Sequence, residues 1–287
     1  MTCWWLASLD KKRILARVVM NRSGGQIAPW WLTMQLWGLD APVAALCWAL
    51  AYAALLDMPM ITSGPLLLLT ASVWLFTIGT RLYRAVVARR GWYILFYRSH
   101  LAPLTLLILC VSAATLWMLF YYVGQILLLY ALAPMAMLAL SRLVRMVEVL
   151  RGLCYATAFA LACSVPSGFY SVLVSPFDLF LFGPTWYLAL LMLLYYLLRG
   201  SWQLEEDAAR LRGIMVSVGL VVLFLGSLFS ARNAPIYERP LYLTLAIAVA
   251  CLEVLVRLRP HLSHDALFSI GWLAMALPPL LGILLFC

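Results

Sequence analysis

The sequence predicts an all-α polytopic membrane protein, a single bundle of about nine transmembrane helices with its N-terminus in the cytoplasm and its C-terminus outside.

 Three observations predict it. Of 287 residues, 66% are hydrophobic and 11% charged, where a soluble domain carries about 25% charged residues. At a mean hydropathy of +0.99, an aqueous core of this size cannot bury the apolar surface, so lipid is the solvent. The apolar residues fall in runs of roughly 20 with short polar connections, which leaves no room for a separate soluble domain. Finally, the basic residues alternate from loop to loop.

Residues 1–25 form an N-terminal cytoplasmic amphipathic segment, and residues 26–287 a single transmembrane helical domain. Trp4, Trp5 and Leu6 precede Lys11, Lys12, Arg13 and Arg17, and no apolar stretch with a cleavage site follows. Residues 6–19 therefore read as a helix lying on the membrane surface rather than a secretory signal. Trp30, Trp31 and Trp37 suit interfacial anchors for a first span at residues 42–56. A start nearer Leu32 would place Asp40 inside the membrane. The second, third and fourth spans cover residues 64–85, 101–121 and 125–140, with Gly124 at a tight outer turn. The fifth covers 150–163, closed by Pro166 and Gly168. The remaining spans are 179–198, 214–229, 241–256 and 266–286.

Charge tests this arrangement. With the N-terminus inside, eighteen of the 20 basic residues fall in inner segments, and Arg232 and Arg239 alone fall outside. Lys and Arg collect in cytoplasmic loops, and a wrong number of spans would scramble the alternation. The net charge of +9 is thus topological, and nucleic acid is excluded as a partner. The longer, more charged inner connections, after spans two and six, place function on the cytoplasmic side.

The seven cysteines form no CxxC pair and have no histidine at ligand spacing, so they read as small packing residues. Asp40 has two readings, an intramembrane functional carboxylate or an interfacial cap before Ala41-Pro42. Glu253 and Arg257 suit an i,i+4 ion pair. His261, His264 and Asp265 read as a polar turn after Pro260, and His100 as an interfacial residue.

Two inner segments carry the candidate chemistry. One runs from Thr80-Arg81-Leu82-Tyr83-Arg84 through Arg89-Arg90 to Phe96-Tyr97-Arg98-Ser99-His100 and is purely basic. The other, from Arg199 to Gly213, contains Glu205-Glu206-Asp207 followed by Arg210 and Arg212, with the one run of adjacent acids in the chain. Opposite charges on two inner loops can pair across a cavity mouth.

The order of elements resembles the UbiA superfamily of membrane prenyltransferases over most of the chain. The local matches are Leu39-Asp40-Ala41-Pro42 opening span one, Trp74-Leu75-Phe76 before Thr80, Phe96 to His100, and the basic start at Arg145 of a span ending near Pro166. The resemblance implies a cytoplasm-facing cavity for a lipid or isoprenoid, and two Asp-rich motifs, NDxxDxxxD after span two and DxxxD after span six, that hold Mg²⁺ against a prenyl diphosphate. Here Thr80 takes the Asn position, and the three Asp positions fall on Arg81, Arg84 and Ala88. The second motif falls on Glu205 and Ala209, beside Glu206, Asp207 and Arg210. The expected protein is therefore a divergent member that binds a lipid or isoprenoid without a cofactor. The alternatives are an active prenyltransferase and a non-enzymatic subunit of a membrane complex or small transporter, with partner subunits left open. In the enzymatic alternative Glu205, Glu206 and Asp207 are the catalytic candidates, and Mg²⁺ is called for only there. Arg81, Arg84, Arg98, Arg145 and Arg210 are the candidates for binding a diphosphate or other anion. The expected location is the bacterial cytoplasmic (inner) membrane.

Overall fold

The computed structural model describes residues 34–55, 63–87, 94–122, 125–144, 148–170, 182–201, 206–259 and 264–286. The N-terminal amphipathic segment expected at 1–25 lies outside them. The described residues are helical, with no strand among them. In chain order the helices are α1 (Asp40–Leu55), α2 (Ser63–Val87), α3 (Ile94–Ser99), α4 (Leu101–Tyr122), α5 (Gln125–Leu143), α6 (Glu148–Tyr170), α7 (Gly183–Ser201), α8 (Glu206–Asn233), α9 (Arg239–Leu258) and α10 (His264–Phe286). Helix is the only secondary structure that satisfies its own backbone within one apolar segment. Among the described residues, five stretches are long and apolar enough to cross a membrane: Gly64–Val87, Leu101–Tyr121, Glu148–Pro166, Arg210–Asn233 and Arg239–Leu258. The chain is thus an α-helical protein with the elements of an integral membrane protein.

Two expectations need correction. The fifth span does not close at Pro166, because α6 runs through that proline to Tyr170. Proline removes one N–H but is tolerated in apolar helices where neighbours re-satisfy the freed groups. Nor is there a long loop after the sixth span. Helix α7 continues to Ser201 and α8 begins at Glu206, so Arg199, Arg210 and Arg212 stand on helix ends.

The chain divides into two compact units, described separately. The first comprises Met1–Ala41 and Ala71–Leu116, the second Pro42–Thr70 and Trp117–Cys287. In the first, Ile78 and Ala85 on α2 are buried with Tyr97 on α3 and Leu104 on α4, and Trp74, Leu82, Phe96 and Ile108 pack around them. The α2 members recur at helical spacing, so one face of α2 forms this core.

In the second unit, consecutive helices pack in order from α5 to α10, and α7 also packs on α9. Helix α7 buries Leu188, Leu191, Met192, Tyr195 and Leu198, the i, i+3, i+4 stripe of a helix with neighbours on several sides. Small residues permit the closest approaches. A Cβ on Gly219 would stand 2.7 Å from Leu194 Cδ2, and one on Gly152 would stand 2.6 Å from Tyr196 Cδ1. Such small residues let apolar helices pack where no aqueous hydrophobic effect drives association.

Candidate functional site

The site that the sequence reading centred on Arg81 lies in the first unit. It is built on a helix end. The Leu39 N–H donates to Met34 O (2.9 Å) and the Gly38 N–H to Gln35 O (3.0 Å). Gly38 has φ +64°. Together these make a Schellman C-cap, in which glycine adopts the left-handed conformation at no Cβ penalty. A Cβ at Gly38 would also stand 2.9 Å from Ile78 Cδ1. The chain stops one helix at Gly38 and starts another, α1, two residues later at Asp40.

The last carbonyls of a helix lack intrahelical donors. Three successive carbonyls here receive side-chain donors, Gln35 O in addition to the Gly38 N–H. Arg81 Nη1 donates to Gln35 O, Tyr97 Oη to Leu36 O at 2.6 Å, and Trp74 Nε1 to Trp37 O at 2.9 Å. Arg81 Nη2 also donates to both carboxylate oxygens of Asp40, at 3.0 and 2.9 Å. The Asp40 side chain is 3% exposed and that of Arg81 17%. The guanidinium thus sits against the negative end of one helix, and its carboxylate partner occupies the positive start of the next. Both placements agree with the helix dipole. Asp40 is the first residue of α1 and a buried member of an ion pair.

The other candidates are placed less centrally. Thr80 Oγ1 donates back to Thr77 O, 2.9 Å away on its own helix. Arg98 is exposed, with Nε donating to Ala85 O at 3.1 Å. Arg84 lies on α2, and its side chain is outside the described residues, as are Arg145 and Glu205 entirely. Glu206 and Asp207 begin α8, where acidic residues suit the helix dipole, but their side chains also fall outside the description. Arg210 is exposed on α8.

Mg²⁺ requires oxygen ligands. At the position that the resemblance gives to the first motif carboxylate stands a guanidinium, and Asp40 directs both of its oxygens to that group. These residues do not fit the metal. Among the described residues no three of His, Cys, Asp and Glu come together as ligands.

The second unit has its own polar ends. At one, Arg212 at the start of α8 pairs bidentately with Glu148 at the start of α6, at 3.0 and 3.1 Å. A Cβ on Gly200, near the end of α7, would stand 3.0 Å from Arg212 Nη1 and 3.1 Å from Glu148 Oε1. Arg259, capping α9, donates to Ser201 O at 3.4 Å. Starts of α6 and α8 thus meet the ends of α7 and α9, so these four helices alternate in direction and bring Arg199, Arg210, Arg212, Arg257 and Arg259 to one end, with Arg232 and Arg239 at the other. The expected Glu253–Arg257 pair forms at 3.1 Å, and Ser217 on α8 additionally donates to Glu253. Since Arg212 and Glu148 are 27% and 43% exposed, Glu148→Ala should cost less than about 1 kcal/mol. Denaturant unfolding of the purified variant checks this.

The opposite end carries hydroxyls and aromatics that the sequence reading did not single out. Tyr187 and Ser230 hydroxyls lie 2.8 Å apart, and the Tyr187 and Tyr242 rings meet edge to face at 5.2 Å. Glu238, just ahead of α9, stands near Tyr242. Burial pushes the Glu238 carboxyl up, partly offset by a hydrogen bond with Tyr237. No protein-family model matches the chain, and no curated protein or solved structure matches it.

Proposed function

We propose that the chain is a nine-crossing integral membrane protein, UbiA-like in architecture, with its N-terminus in the cytoplasm and its C-terminus outside. In this reading it binds a lipid or isoprenoid in a groove open to the cytoplasmic side and does not transfer prenyl groups by the metal-dependent route. The gathering of arginines at one end of α6 to α9 supports the orientation. The bacterial inner membrane is the proposed location.

The observation that carries the functional reading is the Arg81–Asp40 pair. The residue at the first metal-binding position serves as a tie between a helix end and a helix start. An arginine so engaged neither holds a metal nor presents its full donor fork to a diphosphate. Exposed Arg98 in the first unit and, separately, exposed Arg210 in the second each stay as a proposed contact for an anion.

Binding of a prenyl diphosphate to the purified protein, with Mg²⁺ and with EDTA, tests this reading. Weak binding that is indifferent to Mg²⁺, together with a copurifying lipid or isoprenoid seen by mass spectrometry, is the expected result. Tight binding that needs Mg²⁺, or a transferred prenyl group in the product, would sink it in favour of the enzyme. Absence of any bound lipid would favour a subunit role in a larger complex.

A further inference from the structure

Helices α8 and α9 lie antiparallel in the second unit, and two contacts set their register. Ser217 donates to both carboxylate oxygens of Glu253, at 2.8 and 2.7 Å. A Cβ on Gly213 would stand 3.6 Å from Arg259 Nη1. Arg257, four residues after Glu253, is therefore level with Gly213, four residues before Ser217. Arg210 lies about 5 Å further toward the end, at about 1.5 Å per residue.

Helical periodicity brings these two arginines to one seam. Arg210 is seven residues before Ser217 and so shares the face of α8 that meets Glu253. Arg257 is one turn beyond Glu253, on the face of α9 that meets Ser217, and its Nε donates to Glu253 at 3.1 Å. That bond uses one of the five N–H groups of a guanidinium. The Arg257 side chain is 77% exposed, against 18% for Glu253, and Arg210 is exposed as well. The arginines thus stand at the mouth of a seam whose carboxylate is already engaged by a hydroxyl and a guanidinium.

The surface beside them is apolar. Ile214 and Met215 on α8 and Val254 and Leu258 on α9 are all exposed. Glu206 and Asp207 open α8 a turn beyond Arg210. Along the axis the order is an apolar surface, then two exposed arginines, then acids. A soluble anion needs the arginines alone, and a neutral lipid needs the apolar surface alone. A molecule that uses both carries a phosphate above acyl chains, since guanidinium groups bind phosphate oxygens well. The two ends of these helices also differ in charge, and basic groups at a membrane surface attract anionic lipids. A zwitterionic headgroup would add an ammonium beside the same arginines.

We propose that the α8–α9 seam binds an anionic phospholipid, with its phosphate on Arg210 and Arg257 and its acyl chains on Ile214, Met215, Val254 and Leu258. The site rests on the membrane reading above, but on neither Arg81 nor the isoprenoid groove.

Native mass spectrometry of the intact protein in detergent tests it, by titration with phosphatidylglycerol and with phosphatidylcholine of the same chains. The wild type should retain phosphatidylglycerol about tenfold or more in preference, and Arg210→Gln with Arg257→Gln should lose most of that preference. Arg232→Gln with Arg239→Gln, at the other end of these helices, should leave it unchanged. Equal retention of the two lipids, or a preference that survives the loss of Arg210 and Arg257, overturns the site. Displacement of the lipid by excess inorganic phosphate would assign the arginines to a free anion and overturn the lipid as occupant. Should the double variant fail to fold, Arg210→Gln alone is read the same way. Prenyl diphosphate binding and a copurifying isoprenoid report on the groove and not on this seam, so the two proposals can fail separately.

Discussion

Arg81→Leu should destabilise the protein by about 3–5 kcal/mol, the cost of leaving a buried charge without its partner. Asp40 would keep a carboxylate that is 3% exposed, and Gln35 O would lose a donor. Asp40→Leu should cost a similar amount, because it strands the guanidinium. The double variant Arg81→Leu, Asp40→Leu should recover much of the loss, since apolar replacement of a whole buried pair is often close to neutral. Recovery stays incomplete to the extent that Gln35 O, which keeps the Gly38 N–H, loses its second donor. Equilibrium unfolding of the four proteins in one detergent measures the coupling directly. The result bears on function as well as stability. If Arg81→Leu shifts stability by less than about 1 kcal/mol, as for an exposed pair, the residue is not a structural tie and is available to an anionic ligand.

The same comparison separates two kinds of ion pair in this protein. Arg81–Asp40 and Arg212–Glu148 have nearly identical distances. Their carboxylates differ in exposure, 3% against 43%, and solvent screening makes the second pair weak. Distance alone would rank them as equals.

How much of this was legible in the sequence depends on the range of the interaction. The helices α4 and α9 lie within two or three residues of the expected spans, because an apolar run and its flanking charges are local signals. The Glu253–Arg257 pair was legible for the same reason, lying one turn apart on one helix. The helix ends were not. Helix α8 starts eight residues before the expected span, since an apolar window stops at the first charges while the helical backbone continues through them. The partner of Arg81 was also hidden. Asp40 is 41 positions away, and both residues had been noted without any pattern to join them. One further signal was present and unused: Gly38 two residues before Asp40 is the glycine of a helix C-cap, and it marks the break that lets Asp40 open α1.

The apolar exposed surface should behave as a lipid-facing surface, and a single arginine can probe it by depth. Val222, near the middle of α8, is 65% exposed, and Leu211, near its start, is 64% exposed. Accessibility therefore does not distinguish the two positions. In water, either substitution to arginine would lie within about 0.5 kcal/mol of neutral, as exposed changes usually do. In a bilayer they diverge. Arginine at the centre of a spanning helix costs about 2.5–3.5 kcal/mol on the insertion scale. Near the helix end its long stem lets the guanidinium reach the headgroups, and the cost falls toward zero. Val222→Arg should therefore reduce membrane insertion of α8 sharply, while Leu211→Arg leaves it nearly unchanged, in an insertion assay with glycosylation reporters. Leu109, 61% exposed on α4, offers the same probe in the first unit and should respond as Val222 does. Equal and small effects at Val222 and Leu211 would mean that α8 meets water or another protein along its length. A steep dependence on depth is what a lipid-facing helix requires, because a hydrocarbon layer of about 30 Å is the one solvent here whose cost for charge changes along the helix axis.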